Sequence, residues 1–135
     1  MNALLSIDGV SKRFRGLLAV DNASFRVTQG SIFAVIGPNG AGKTTLFNII
    51  AGVLRPDQGS ITFAGQRVDG LRSDEICRRG IGRTFQLVRP FPALSVEDNV
   101  IVGAMLHRPD LAAARARAHE VLRRLDLFEI GRAHV

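Results

Sequence analysis

The sequence is poor in several residue types and patterns, and each shortage excludes a class of protein. A single cysteine, Cys77, cannot form an internal disulfide and has no metal-ligand spacing around it, so we predict a partly buried residue without a chemical role. No apolar stretch approaches the roughly 20 residues that a membrane-spanning helix needs. Residues 1–10 also lack the basic start and long apolar run of a signal peptide, and we therefore expect a cytoplasmic location.

Lysine is scarce, tryptophan and tyrosine are absent, and the basic character comes from arginine. Only Lys12 and Lys43 among the 18 basic residues are lysines, and the net charge is +6. The arginines are scattered, without the interleaved aromatic residues of single-strand binders, which favours a solvated basic surface over nucleic-acid binding. Attraction to acidic lipid headgroups beside a membrane partner stays open. The ordinary proportions of apolar residues, 46%, and charged residues, 22%, indicate one globular domain or part of one.

The hydrophobic pattern predicts an α/β chain that ends in helices. Leu4–Val10 and Ala23–Val27 are predicted to be paired antiparallel strands. Ser31–Ile36 is nearly continuously apolar, which predicts a strand buried on both faces. Apolar residues surround most of a helix predicted from Lys43 to Leu54, so we expect that helix to be central and buried.

The second half of the chain is predicted to contain shorter elements. In order, these are a strand at Ser60–Phe63 after the turn Pro56–Gly59, a Ser73-capped helix to about Arg79, a strand at Ile81–Gln86, a Ser95-capped helix to about Met105 and a helix at Leu111–Phe128. The apolar stripe of the last helix is predicted to comprise Ala114, Ala118, Val121, Leu122, Leu125 and Phe128.

The segment Gly37–Thr44 matches the phosphate-binding pattern G-x-x-x-x-G-K-[ST] between a predicted strand and a predicted helix. Glycines let successive backbone N–H groups point at a polyphosphate without side chains in the way. Lys43 can reach the β- and γ-phosphates, the Thr44 hydroxyl can bind Mg²⁺, and Thr45 can donate to a phosphate oxygen. The predicted nucleotide-binding residues are Gly37, Pro38, Asn39, Gly40, Ala41, Gly42, Lys43, Thr44 and Thr45, with ATP and Mg²⁺ as cofactors.

Further stretches of the sequence narrow the class of nucleotide-binding protein. GPNGAGKTTLFNIIAG, PDQGSITFAG, GIGRTFQ and SVEDNV together resemble the ATP-binding subunits of ATP-binding cassette (ABC) transporters, from Leu4 to about Leu127. Within that family, RTFQ, a Pro-Phe-rich segment and VEDNV are most similar to importers of branched-chain amino acids. The resemblance implies a P-loop NTPase fold of the α/β class, here an incomplete ABC nucleotide-binding domain: an antiparallel β subdomain, a partial RecA-like core and the start of the helical subdomain.

The resemblance also implies domain bounds. Residues 1–128 would be a truncated ATP-binding domain, with the α/β body, P-loop and Q-loop in about 1–86 and the start of the helical subdomain in about 95–128. The last residues, 129–135, do not resemble the family. Their sequence, EIGRAHV, is what a widely used sequencing adapter would encode, and we expect an artefactual tail; different codons in the gene would contradict this.

Roles for two further residues follow only from the resemblance. Phe14 occupies the place where the family stacks an aromatic ring on adenine, although a core phenylalanine is the alternative. Gln86 matches the glutamine that touches Mg²⁺ and the attacking water, so Lys43 and Gln86 are the predicted catalytic residues, and Thr44 and Gln86 the predicted metal ligands.

The resemblance also suggests a contact surface for a partner. Leu87–Leu94 would help form the groove for a helix of the membrane-embedded partner, with Phe91 and Leu94 as apolar contacts, unless these residues anchor the loop in the core. Asp57, His107 and His119 are expected to serve only turns or the surface.

The chain departs from the family in three motifs. An apolar run ending in Asp-Glu (Walker B), the LSGGQ signature and the switch histidine do not occur in the sequence, so we expect this chain to hydrolyse essentially no ATP. The full-length parent would be a transport ATPase at the inner face of the membrane. Its expected partners are permease subunits, a second identical or different ATP-binding subunit and a solute-binding protein, but no nucleic acid. The alternatives are a soluble ABC-type ATPase of DNA repair or translation and, for this chain itself, a non-hydrolysing nucleotide-binding module.

Overall fold

A computed structural model describes residues 3–133, and the chain divides into two compact units, the first ending at Arg83 and the second beginning at Thr84. The first unit contains, in order, β1 (Ala3–Phe14), β2 (Leu17–Thr28), α1 (Lys43–Ile50), β3 (Gln58–Phe63), β4 (Gln66–Arg67) and α2 (Ser73–Arg78). The second contains α3 (Val96–Ala104), α4 (Leu111–Arg124) and a 3-10 helix (Phe128–Ile130). Within the described range, no helix combines the length and the apolar character needed to cross a bilayer.

The first unit is built on a four-stranded sheet in the order β2-β1-β3-β4, with every neighbouring pair antiparallel. β1 is the central long strand, and its Ile7 pairs with Phe25 of β2 on one side and with Ile61 of β3 on the other. The predicted antiparallel pair at the start of the chain is therefore confirmed, and both strands are longer than the sequence pattern indicated.

One face of this sheet and one face of α1 form the core of the first unit. The buried residues of that core are Ile7, Val10, Val20, Leu46, Ile49, Ile50, Ile61, Val68 and Ile76. All are aliphatic, so the core is held together by burial of apolar surface. The core fixes the start of α1 against β2, and this start carries the phosphate-binding pattern.

Two predicted strands are wrong. Ser31–Ile36 and Ile81–Gln86 form no ladder with any strand in residues 3–133, and Ile32 and Ile36 are exposed. An apolar run indicates a tendency toward burial, but a strand also needs a neighbour for its backbone N–H and C=O groups, and the described residues supply none. Phe33 instead stacks on Phe25 of β2, with the ring centroids 4.9 Å apart.

Two helix predictions for the first unit also need correction. The first helix ends at Ile50, so that Val53 lies outside it, and it buries one face only, because Phe47 is exposed. The second helix is not capped by Ser73: its N-cap is Arg72, whose backbone N–H donates to the Glu75 carboxylate at 2.9 Å. A glutamate three residues after the cap performs this role in a capping box, so the cap lies one position earlier than predicted.

The second unit is a helical hairpin. Ser95 caps α3 as predicted, its hydroxyl accepting from the Asp98 N–H at 3.1 Å. Ile101 of α3 packs against Ala114 and Ala118 of α4, and small residues allow the two helices to approach closely. The predicted stripe on α4 is only partly buried: Leu122 is inside, but the helix ends at Arg124 and Leu125 is exposed.

Polar contacts join α3 to α4 and to the residues that follow α4. His119 is not a plain surface residue as expected, because its Nε2 lies 3.0 Å from the Glu97 carboxylate on α3. The N–H groups of Val96 and Glu97 donate to the carbonyl oxygens of Ala133 and Gly131, at 2.8 and 2.7 Å. These bonds satisfy two of the N–H groups that the start of an α-helix leaves without an internal partner.

Candidate functional site

The predicted phosphate-binding loop leads directly into α1, as the motif requires. Gly42 is the N-cap of this helix and has the left-handed φ of 90°. Among the described residues no side chain caps α1, and its first turn contains no acidic residue. The N–H groups at this helix start therefore point outward at the positive end of the helix dipole, an arrangement that attracts an anion.

Close packing against β2 fixes the backbone of the loop. A Cβ atom on Gly42 would lie 2.0 Å from the carbonyl oxygen of Ala19, so only glycine fits there. A Cβ on Gly37 would lie 3.2 Å from the Ala41 side chain. The Ala41 N–H donates to the Pro38 carbonyl at 3.1 Å, which closes a turn inside the loop. The loop thus has one defined shape, held by β2 from outside and by its own turn from within.

The Lys43 ammonium lies inside the loop that it belongs to. It donates to the carbonyl oxygens of Gly37 and of Pro38, the latter at 2.8 Å. The ammonium therefore lies against its own loop, and its predicted contact with a phosphate stays a prediction. The side chains next to it, Thr44 and Thr45, lie in the first turn of α1, with Thr44 exposed and Thr45 half-buried.

A cavity of about 390 Å³ opens beside this loop. Its lining comes from the start of β2, from the extended segment before the loop and from the loop itself: Leu18, Ala19, Val20, Asp21, Ala23, Val35, Ile36, Ala41, Gly42, Lys43 and Leu46. This lining brings the Lys43 ammonium and the backbone of Ala41 and Gly42 to one concave edge of the first unit, and Thr44 and Thr45 follow along α1, outside the lining. This donor set fits a nucleotide triphosphate, and the exposed Thr44 hydroxyl fits as one oxygen ligand of a hard cation such as Mg²⁺.

Phe14 lies at the end of β1, next to the part of β2 that lines this cavity. It pairs with Leu17, and its neighbour Arg13 pairs with the cavity residue Leu18. The Phe14 side chain is 40% exposed, with the Lys12 ammonium over its ring at 5.8 Å from the centroid. A ring that is not enclosed in the core is available for stacking, and the predicted adenine contact stays a prediction.

Gln86 and the segment Leu87–Leu94 belong to the second unit. Gln86 lies exposed in a bend without regular structure, and its predicted contact with Mg²⁺ and water stays a prediction. The backbone of Phe91 is tied to Asn99 by two hydrogen bonds, at 2.8 and 3.1 Å, while its side chain is exposed, as are Leu87 and Val88. The loop is therefore anchored through its backbone, and the Phe91 side chain does not insert into the core.

The sequence reasoning missed the contacts of a carboxylate with the end of β1, the strand that carries Phe14. Asp57 accepts hydrogen bonds from the Lys12 ammonium and from the backbone N–H of Arg13, both at 2.7 Å. The bond from Lys12, followed by that from Arg13, holds the pKa of Asp57 below its ordinary value against a small opposing effect of burial. The predicted turn Pro56–Gly59 is wrong in its second half, because β3 begins at Gln58 and not at Ser60, and the sequence pattern did not reveal the partners of Asp57.

Comparison with known proteins agrees with this geometry. The profile of the ABC transporter family matches residues 20–135. The high-affinity branched-chain amino acid transport ATP-binding protein LivG of Salmonella typhimurium is 46% identical over 99 residues, which are 73% of this chain and 39% of LivG. The ribose import ATP-binding protein RbsA 1 of Mesorhizobium japonicum is 39% identical over 130 residues, or 94% of this chain and 25% of that protein.

A solved structure gives the same result for the fold. The ADP conformation of an ATP-binding cassette of an ABC transporter superposes with a TM-score of 0.85 at 26% identity, covering 99% of this chain and 58% of that one. The chain thus spans well under half the length of the two sequence relatives. With a family profile matched across most of its length and a cassette fold around its phosphate-binding loop, the chain belongs to the ABC transporter family.

Proposed function

We propose that this chain binds the triphosphate of ATP, with Mg²⁺, on the loop Gly37–Thr44. The observation that carries the proposal is the start of α1, where uncapped N–H groups and the Lys43 ammonium lie on one loop of fixed shape. Phe14, 40% exposed at the adjoining end of β1, would receive the base. When bound, Mg²⁺ would offset phosphate charge, with Thr44 and Gln86 as its protein ligands.

Calorimetric titration of the chain with MgATP tests this proposal. We expect Lys43→Ala to weaken ATP binding by at least about tenfold, since a hydrogen bond to a charged group contributes about 1.5 to 3 kcal/mol. Arg67→Ala is the matched control. It removes a cation from β4, an exposed strand in the sheet of the first unit, and should leave the affinity for ATP unchanged. Equal affinities for wild type and Lys43→Ala would contradict the assigned role.

We further propose that the chain binds ATP without turning it over. Its sequence contains neither the Walker B carboxylates nor the LSGGQ signature, and phosphoryl transfer depends on a positioned metal and water. A phosphate-release assay should show no turnover above background. Release of phosphate that Lys43→Ala abolishes would contradict this expectation.

For the whole protein we propose an ATP-hydrolysing subunit of a branched-chain amino-acid importer. The support is the 46% identity to LivG, while the ribose import protein at 39% identity makes ribose the second candidate. Such a subunit would act on the cytoplasmic side of the membrane with permease subunits, a second ATP-binding subunit and a solute-binding protein. Uptake of labelled leucine and of labelled ribose, in cells expressing the full gene with neighbouring permease genes, distinguishes the two substrates.

A further inference from the structure

Asp57, the residue immediately before β3, makes three hydrogen bonds to the end of β1. The Asp57 backbone N–H donates to the carbonyl oxygen of Ser11 at 2.9 Å. Its carboxylate accepts from the Arg13 backbone N–H and from the Lys12 ammonium, each at 2.7 Å. The single residue before β3 thus bonds three consecutive residues of β1, Ser11, Lys12 and Arg13.

The start of β3 also packs directly on β1. Gly59 has a φ of 87°, and a Cβ atom there would lie 2.4 Å from the carbonyl carbon of Gly9 and 2.5 Å from the nitrogen of Val10. Because Gly59 places no side chain between the two backbones, the start of β3 has little freedom to move away from β1. Asp57 is therefore a fixed acceptor, which makes its hold on β1 firm.

Phe14 is the strand residue that follows the three residues bonded by Asp57. The N–H that Asp57 binds belongs to the residue just before Phe14, and the ammonium that it binds lies over the Phe14 ring at 5.8 Å from the centroid. The Lys12 side chain is only 15% exposed, whereas Phe14 is 40% exposed. Asp57 thus holds both the backbone that leads to the ring and the ammonium over the ring, while the ring itself stays partly exposed.

We propose that Asp57 is a positioning residue for the base-binding end of the nucleotide site, holding the Phe14 ring in the orientation in which a purine base stacks on it. This inference rests on the proposed nucleotide-binding function. Without the Asp57 carboxylate, the end of β1 would keep only its pairing with β2, Arg13 with Leu18 and Phe14 with Leu17, and stacking would require the base to order the ring.

The test compares a ligand that has a base with one that lacks it. Affinities for MgATP and for inorganic tripolyphosphate with Mg²⁺ are measured on the wild type and on Asp57→Ala. We expect ATP binding to weaken about fivefold, near the lower end of what loss of one base–aromatic stack costs, with tripolyphosphate affinity within about twofold. Equal losses for both ligands would show a merely structural role and overturn the inference, as would unchanged ATP affinity.

A double-mutant cycle identifies the route of the effect. If Asp57 acts through Phe14, Asp57→Ala should not further weaken ATP binding in the Phe14→Ala background. Additive losses would overturn the inference. Asp69→Ala is the matched control, because Asp69 likewise accepts from a backbone N–H, that of Ile61 at 3.0 Å, and from a cation, Arg67 at 2.9 Å, but belongs to the β3–β4 end of the sheet. Both affinities should be unchanged in this variant.

Two further outcomes separate this inference from the proposed function. A folded wild type that binds no ATP overturns both. Equal ATP affinities of the wild type and of Asp57→Ala overturn only the inference. If circular dichroism shows Asp57→Ala to be unfolded, Asp57→Asn replaces it, since the amide keeps an acceptor for the Arg13 N–H and loses the charge facing Lys12. This variant should weaken ATP binding about two- to fivefold and spare tripolyphosphate; wild-type affinity for ATP would again overturn the inference.

Discussion

Substituting Gly42 by alanine should disable the phosphate-binding loop, and Gly40 offers a matched control. Both glycines have left-handed φ values, 90° and 84°. A Cβ on Gly42 would lie 2.0 Å from the Ala19 carbonyl oxygen, whereas a Cβ on Gly40 would have no heavy atom within 4 Å. The two substitutions therefore share the backbone strain and differ in the collision with β2.

The magnitudes follow from this difference. Left-handed backbone at alanine costs roughly 1 to 2 kcal/mol, so Gly40→Ala should lower the free energy of unfolding by that amount and weaken ATP binding less than about fivefold. In Gly42→Ala the Cβ must move from 2.0 Å to an ordinary contact of at least 3.4 Å, which displaces the loop. A shift beyond 1 Å breaks hydrogen bonds to phosphate, each contributing about 1.5 to 3 kcal/mol, so ATP binding should weaken at least about 30-fold.

Two measurements check the prediction. Calorimetric titration with MgATP gives the affinities of both variants, and urea unfolding followed by circular dichroism gives their stabilities. Equal effects of the two substitutions would refute the reasoning, because backbone strain alone would then explain both. Wild-type affinity in Gly42→Ala would refute it more directly, since the loop would then tolerate the displaced backbone.

Two further predictions concern stability. Ser95→Ala should lower the free energy of unfolding by about 1 kcal/mol, because its hydroxyl caps α3, whereas Ser73→Ala should have little effect, because Ser73 caps no helix; equal losses in urea titrations would contradict this. Acid should weaken the attachment of Asp57 to β1: the pKa of Asp57 is lowered from 3.8, so its stabilising contribution is complete above that pH and is lost as the pH falls through the lower folded value. Acid titrations should show a smaller loss of stability below pH 3.8 for Asp57→Asn than for wild type.

Local patterns predicted those elements whose partners are close in sequence. The β1–β2 pair is a hairpin, and the cap at Ser95 lies within three residues of its donor Asp98, so the sequence contains both halves of each interaction. The motif Gly37–Thr44 could be found for the same reason, because eight consecutive residues define it, and its binding of phosphate stays a prediction.

The errors arose where structure depends on partners elsewhere. The apolar composition of Ser31–Ile36 predicted burial on both faces, but composition cannot state which strands will pair with it. Likewise, α1 could not be oriented from its own pattern, because apolar Phe47 is exposed while Leu46 beside it is buried. The hydrogen bond between Lys12 and Asp57 spans 45 residues of sequence, a distance at which no local pattern indicates pairing.

The position of the Lys43 ammonium has a consequence for how a nucleotide would enter. Its two hydrogen bonds to loop carbonyls mean that the long side chain has already given up much of its rotational freedom before any ligand arrives. Entry of a phosphate then exchanges neutral oxygen acceptors for a charged one, instead of recruiting a mobile cation from solvent. Binding thus exchanges the hydrogen-bond acceptors of an ammonium that is already in place. When the nucleotide leaves, the ammonium can bond to the loop carbonyls again.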